Sequence, residues 1–215
     1  MKKKVILLIL ILSTANILIV EGQSRYFRKK QPKLGYGIKA GINYAWQSTT
    51  NKEMEDGTYS IVGINAGGYS NYFIRKQFAV QAELMVSGKG SGWKYEESEY
   101  VEDIKDILTY IDLPIMIRYQ PAKFVNFHAG PQIGIKLNAL QRDMEAGTKI
   151  NINEYYLAFD YGALLGVEAN LPYNLNLTLR YVYGLFSANN TNFKYHDPWK
   201  NNFVQFSIGY RFRGQ

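Results

Sequence analysis

The stretch YGIKAGINYAW, residues 36–46, divides its side chains between two faces of an extended chain. Tyr36, Ile38, Ala40, Ile42, Tyr44 and Trp46 fall on one face, and Gly37, Lys39, Gly41 and Asn43 on the other. Successive side chains of a strand point to opposite sides, so period-two alternation marks a strand with two different environments. The rhythm returns along the chain. Val62, Ile64, Ala66 and Tyr72 alternate with Gly63, Asn65, Gly67 and Asn71; Phe78, Val80, Ala82, Leu84 and Val86 with Gln81, Glu83, Ser87 and Lys89. Ile111, Leu113, Ile115, Ile117 and Tyr119 oppose Asp112, Pro114 and Arg118. Four more segments, 125–138, 157–171, 175–185 and 203–212, behave alike. Each reaches the ~9–11 residues that a tilted strand needs to cross a bilayer. The fold read from this pattern is all-β: an eight-stranded antiparallel up-and-down transmembrane β-barrel.

Which face meets lipid follows from side-chain size. An eight-strand lumen is just filled by side chains and has no room for the crowded large apolar set. The opposite set carries Gly35, Gly37, Gly41, Gly63, Gly67, Gly130, Gly134, Gly162, Gly166, Gly184 and Gly209, and glycine inside a strand suits close approach of crowded walls. The apolar set therefore faces outward, with Tyr36, Trp46, Tyr72, Phe78, Tyr119, Tyr181, Tyr210 and Phe212 placed near strand ends, where aromatic girdles form. The reverse arrangement, a soluble lipocalin-like ligand binder, would put those side chains at its centre. Connections alternate too: 74–77, 121–124 and 172–174 are tight, whereas 49–58, 92–105, 141–154 and 188–201 are long and polar. Short turns on one rim and long loops on the other are the asymmetry of an outer-membrane barrel.

The chain begins MKKKVILLILILSTANILIVEGQS, three lysines and then an apolar run over 5–20 interrupted by Ser13, Thr14 and Asn16. That is the order of a secretory signal peptide spanning residues 1–22; as a retained anchor the run falls short of the ~20 residues a spanning helix requires. Without Lys2, Lys3, Lys4 and Glu21 the formal charge of +7 falls to +5. Arg25, Arg28, Lys29, Lys30 and Lys33 crowd the segment 23–34, read as a basic periplasmic tail ahead of a barrel over 35–213. There is no cysteine, hence no disulfide, thiolate metal site or cysteine nucleophile. An exported chain gives no reason to expect nucleic acid as a partner.

The inward rows carry Glu83, Asp112, Asp160 and Glu168 against Lys39, Arg118, Lys136, Arg180 and Arg211. Isolated buried charges are too costly to keep, so these nine residues are expected to form a neutralised, hydrogen-bonded plug. His128, in the same row, reads as a network member. No cofactor and no metal cluster is expected. SGKGSGW, residues 87–93, lacks the spacing of a phosphate loop and opens no helix. His196 and Asp197 stand together in a long loop without a serine in a recognisable arrangement, so no enzyme is expected. The acidic segment 93–106 reads as a hydrated loop, with cation binding or continuation of its flanking strands as the other readings.

The strand YIDLPIMIRYQ is similar to the Tyr-(Leu/Ile)-Glu-(Ile/Leu)-Pro strand of the PorT-like outer-membrane barrel family of Bacteroidetes. FHAGPQIGI resembles that family's Gly-Pro strand, and DYGALLGVEANL, LRYVYGLF and VQFSIGYRF resemble its last three. The resemblance covers residues 35–212. It implies an eight-stranded barrel in the cell outer membrane, and one member's role in protein secretion adds an accessory of secretion or envelope assembly as a second functional reading. The first reading is a monomeric structural or interaction protein of the envelope, partnered by outer-membrane lipid and open to other envelope or secretion proteins.

Overall fold

A computed structural model describes residues 34–50, 57–97, 100–191 and 197–213. The signal peptide read over 1–22 and all of the basic tail except Leu34 lie outside these residues. Ten strands follow in order: β1 (Leu34–Thr49), β2 (Thr58–Tyr59), β3 (Ile61–Phe73), β4 (Phe78–Glu97), β5 (Tyr100–Ala122), β6 (Val125–Asp143), β7 (Lys149–Asn151), β8 (Phe159–Asn170), β9 (Leu175–Gly184) and β10 (Trp199–Arg213). Eight are long and close a ring; β2 and β7 only extend one rim, against β4 and β6.

Every long strand pairs antiparallel with its neighbours in sequence, and β10 returns to β1 from Trp199↔Thr49 down to Arg213↔Tyr36. That last pairing removes the edge. In hydrocarbon no water replaces a missing ladder partner, and each orphaned backbone group costs several kcal/mol, so only a closed sheet survives there. The tight turns lie at the end that holds Leu34 and Arg213. In the turn between β8 and β9, Tyr173 and Asn174 both take left-handed backbone angles (φ 61° and 62°), the geometry of a two-residue hairpin turn matched to strand twist.

The faces separate as the alternation requires. Outward apolar side chains are bare, Ile64 at 75% and Leu165 at 65% exposure, while the polar row is buried. Trp46 lies outside but half-buried, stacked on Tyr181. Two inward glycines show why no larger residue stands there. A Cβ on Gly41 would lie 1.9 Å from the Phe206 carbonyl oxygen, and one on Gly166 would lie 2.4 Å from the His128 imidazole.

Residues 92–105 correct one expectation. They form no hydrated loop: β4 runs on to Glu97 and β5 resumes at Tyr100, in a ladder unbroken from Lys89↔Leu108 to Glu97↔Tyr100. Trp93, Tyr95, Val101 and Ile104 favour strand backbone strongly enough to carry the hairpin past the bilayer despite its acids. The wall is therefore uneven. β4, β5 and β6 have 20, 23 and 19 residues, against 12 and 10 in β8 and β9.

Leu165 sits halfway along β8 on the lipid face. Leu165→Arg should lower stability by ~2–4 kcal/mol, the cost of an arginine near the bilayer midplane, in equilibrium unfolding from phospholipid vesicles. An unchanged unfolding midpoint would place this face in water.

Candidate functional site

The interior is built in layers along the barrel axis. In the half nearer the tight turns, two buried carboxylates serve four cations. Glu83 on β4 takes a two-pronged contact from Arg180 on β9, Nη1 to Oε2 at 2.8 Å and Nη2 to Oε1 at 3.0 Å, and also accepts from Lys39 Nζ on β1 at 3.3 Å. Glu168 on β8 accepts from Lys39 Nζ and from Arg118 Nη2 on β5, each at 2.8 Å, with Arg211 on β10 farther off at 3.9 Å. Thr178 and Asn126 fill its remaining lone-pair directions. The parallel prongs of an arginine on a carboxylate fix orientation as well as charge.

His128 joins this layer as an acceptor. Arg180 Nε donates to its Nε2 at 3.1 Å, which requires a neutral imidazole protonated on the other nitrogen. Above lies an apolar layer of Ala45, Met116, Leu164, Val182 and Phe203. Next comes a second charge centre. Lys89 Nζ bridges Asp112 Oδ1 at 2.8 Å and Asp160 Oδ2 at 3.0 Å, with the rings of Tyr110 and Phe203 at 4.6 and 5.1 Å. Cations thus outnumber acids in the first layer, and acids outnumber the single lysine in the second.

The long-loop end is closed by a chain segment folded inward. The turn Asn153–Tyr155 brings Ile152 and Tyr156 down among Leu108, Tyr110, Ala139 and Ala188. Main chain pins it on both sides: Ile152 N–H donates to the Ala139 carbonyl at 3.0 Å, and Leu157 N–H to the Ala188 carbonyl at 2.8 Å. The Tyr156 hydroxyl donates to Asp106 Oδ2 at 2.7 Å. Burial, reinforced by the Asp106 carboxylate, pushes that hydroxyl well above its ordinary range, so it stays a donor. Gln47 ties the cap to the wall: its Oε1 accepts from Ser91 at 2.8 Å and lies 3.3 Å from the Tyr156 hydroxyl, and its amide donates to Asn201 at 2.9 Å.

Of the nine residues read as a lumenal network, eight stand in these two charge layers. Lys136 does not: its ammonium donates to the backbone carbonyls of Asn153 and Tyr156, fastening the cap. A register shift opposite Thr109 and Tyr110 displaces that part of β6 from the simple alternation. The residue missed is Lys89, whose inward parity was readable in QAELMVSGK and whose two aspartate partners were not. The Asp197 backbone carbonyl accepts from Asn189 Nδ2 at 3.0 Å, while His196 lies outside the described residues. No cluster of metal-ligating side chains occurs among the described residues.

A family model for the outer membrane protein beta-barrel domain matches residues 23–190. Among solved structures, Neisserial surface protein A is similar with a TM-score of 0.51 at 14% identity, over 86% of this chain and 100% of that one. Ail, the attachment invasion locus protein of Yersinia pestis, solved with the heparin analogue sucrose octasulfate, gives 0.48 at 14% identity over 84% and 100%. The likeness to Neisserial surface protein A concerns the fold. No curated protein matches the sequence.

Glu83 and Arg180 form the tightest pair of the first layer. Glu83→Gln or Arg180→Met alone should each cost ~3–5 kcal/mol, because one buried charge loses its partner. The double variant should cost clearly less than the two added together, by equilibrium unfolding in a double-mutant cycle. Strict additivity would show the pair to be uncoupled.

Proposed function

The chain belongs to the outer membrane protein β-barrel family and resides in the outer membrane; from that premise we propose that it is a sealed, monomeric barrel serving the envelope as a structural or interaction protein. It works through its outer surface and its loops, and neither conducts solutes nor catalyses a reaction. The filled lumen carries this reading. Arg118, Glu83, Glu168, Lys89 and Tyr110 are all within a few per cent of complete burial, and the cap of Ile152 and Tyr156 lies over them. A porin lumen of the same family of architectures is instead wide and water-lined.

The second reading, an accessory of protein secretion or envelope assembly, draws on the PorT-like motifs and on a Bacteroidetes origin they suggest. The two motifs lie side by side in the wall, with Pro114 of YIDLP opposite Gln132, beside the Gly130-Pro131 pair. Cross-linking in intact envelopes separates the two readings. Reproducible adducts with a secretion component favour the accessory; lipid-surrounded monomer alone favours the structural protein.

Purified barrel in planar bilayers should give no sustained conductance steps at moderate voltage. Tyr156→Ala with Ile152→Ala should leave it closed, because the two charge layers below remain. Stable large steps from the unaltered monomer would overturn the sealed-barrel reading.

A further inference from the structure

The outer wall splits beside β1. β1 pairs with β3 only as far as Ala45↔Ile61. Beyond that point Trp46 and Gln47 remain with β10, opposite Asn202 and Asn201, while Thr58 and Tyr59 leave to pair with Trp93 and Gly92 of β4. The two sides of the split enclose a cleft of about 290 Å³ lined by Tyr44, Trp46, Gln47, Thr58, Tyr59 and Ser60. It opens on the outside of the barrel, at the long-loop end of β1. Aromatic residues at that height mark the boundary between lipid and water.

Both aromatic walls of the cleft are held in place before anything binds. Trp46 stacks on Tyr181, with ring centres 6.1 Å apart and planes at 24°, and touches Tyr44 on the other side at 6.4 Å. Tyr59 lies over Gly92, where a Cβ would come 2.1 Å from the ring carbon Cζ, so only glycine admits the ring. Its hydroxyl donates to the Asp103 carboxylate, and Lys105 Nζ sits 5.7 Å from its ring centre. Gln47 contributes its stem alone, since its amide is turned to Asn201, Ser91 and Tyr156 inside the barrel. Thr58 and Ser60 add hydroxyl-bearing side chains to the lining.

Fixed rings beside hydroxyls suit a ligand with one apolar face and a rim of hydrogen-bonding groups. A pyranose ring is such a ligand: its axial C–H bonds form a flat apolar patch and its hydroxyls point outward. Acyl chains offer nothing to the hydroxyls. We infer that the cleft between Trp46 and Tyr59 is a binding site for a saccharide ring, stacked on the aromatic walls and hydrogen-bonded by Ser60. Concave, mostly apolar sites with a few placed polar groups are the usual form of a small-molecule site. Rings held rigid before binding lose little entropy when a ligand arrives. Two sources present such rings at this height, the sugar headgroup of an outer-leaflet glycolipid and a free oligosaccharide. The inference goes beyond the sealed-barrel reading and stands whether or not the lumen conducts.

The test uses the full barrel in phospholipid nanodiscs with ¹⁵N-labelled tryptophan, whose three indole signals belong to Trp46, Trp93 and Trp199. One arm titrates the oligosaccharide released from lipopolysaccharide by mild acid; the other incorporates whole lipopolysaccharide in the disc. The Trp46 signal should move saturably while Trp199 stays. A response in both arms assigns a free or lipid-borne sugar, and a response to the intact glycolipid alone assigns the headgroup. Tyr59→Ala, and Gly92→Ala, which displaces Tyr59 without removing a ring, should each weaken binding by about tenfold, as expected for loss of one aromatic stacking contact. Both variants must keep the heat-modifiable gel mobility of the folded barrel. A silent Trp46 signal in both arms, or affinity unchanged in folded Tyr59→Ala, would overturn the site.

Discussion

A backbone amide facing acyl chains has no water to turn to, and the rest of this structure is a consequence. A sheet in that medium must leave no edge, so β10 closes on β1 and every long strand finds a partner on each side. Closure with eight long strands makes a narrow cylinder, and narrowness sorts the side chains by size. Large apolar groups go to lipid, while compact or polar ones go inward. Where the ladder between neighbouring strands is tightest even a methyl group is excluded, as at Gly41 against the Phe206 carbonyl of the paired strand β10.

A narrow dry interior then sets terms for every charge placed in it. Water cannot screen Glu83 or Glu168, so each is surrounded by donors from several strands. Lys39 of β1, Glu83 of β4, Arg118 of β5, Glu168 of β8, Arg180 of β9 and Arg211 of β10 meet in one layer. Such networks are weak evidence for stability, since well-packed apolar groups often serve as well. Their consequence here is register. Sliding any of these strands by one residue would turn its ionic group into lipid and leave its partners unpaired. Apolar layers between the charge centres contribute the packing and keep the centres apart.

What could be read from the sequence was whatever depends on one strand at a time. Parity alone separated Lys39 from Ile38 and Arg180 from Leu179, and turn chemistry alone placed the tight rim. What could not be read depends on several strands at once. Lys89 acquires its meaning only when β5 and β8 bring Asp112 and Asp160 to it, from 23 and 71 residues away. Lys136 departs from the network because the register slips beside it, and no feature of KLNALQ announces that slip. Met116, Leu164, Val182 and Phe203 occupy inward positions among polar neighbours, and only the closed ring brings them together as a layer. The inward cap is hidden for the same reason: Ile152 and Tyr156 belong to a polar connection and are buried only by strands far away in sequence.

Sealing the cylinder relocates what the molecule can do. With its interior committed to strand registration, contact with other molecules is left to the outer wall and the rim, and there the barrel is least regular. β4 and β5 outgrow β8 and β9 by roughly the length of another membrane crossing, and an uneven wall cannot keep every strand paired along its height. The mismatch is resolved at Ala45, where β1 follows β10 and the chain of β2 follows β4. In mid-bilayer such a gap would strand backbone groups in hydrocarbon. At the long-loop end water can reach it, so the split is tolerated, and its aromatic lining rather than its backbone meets whatever arrives from outside.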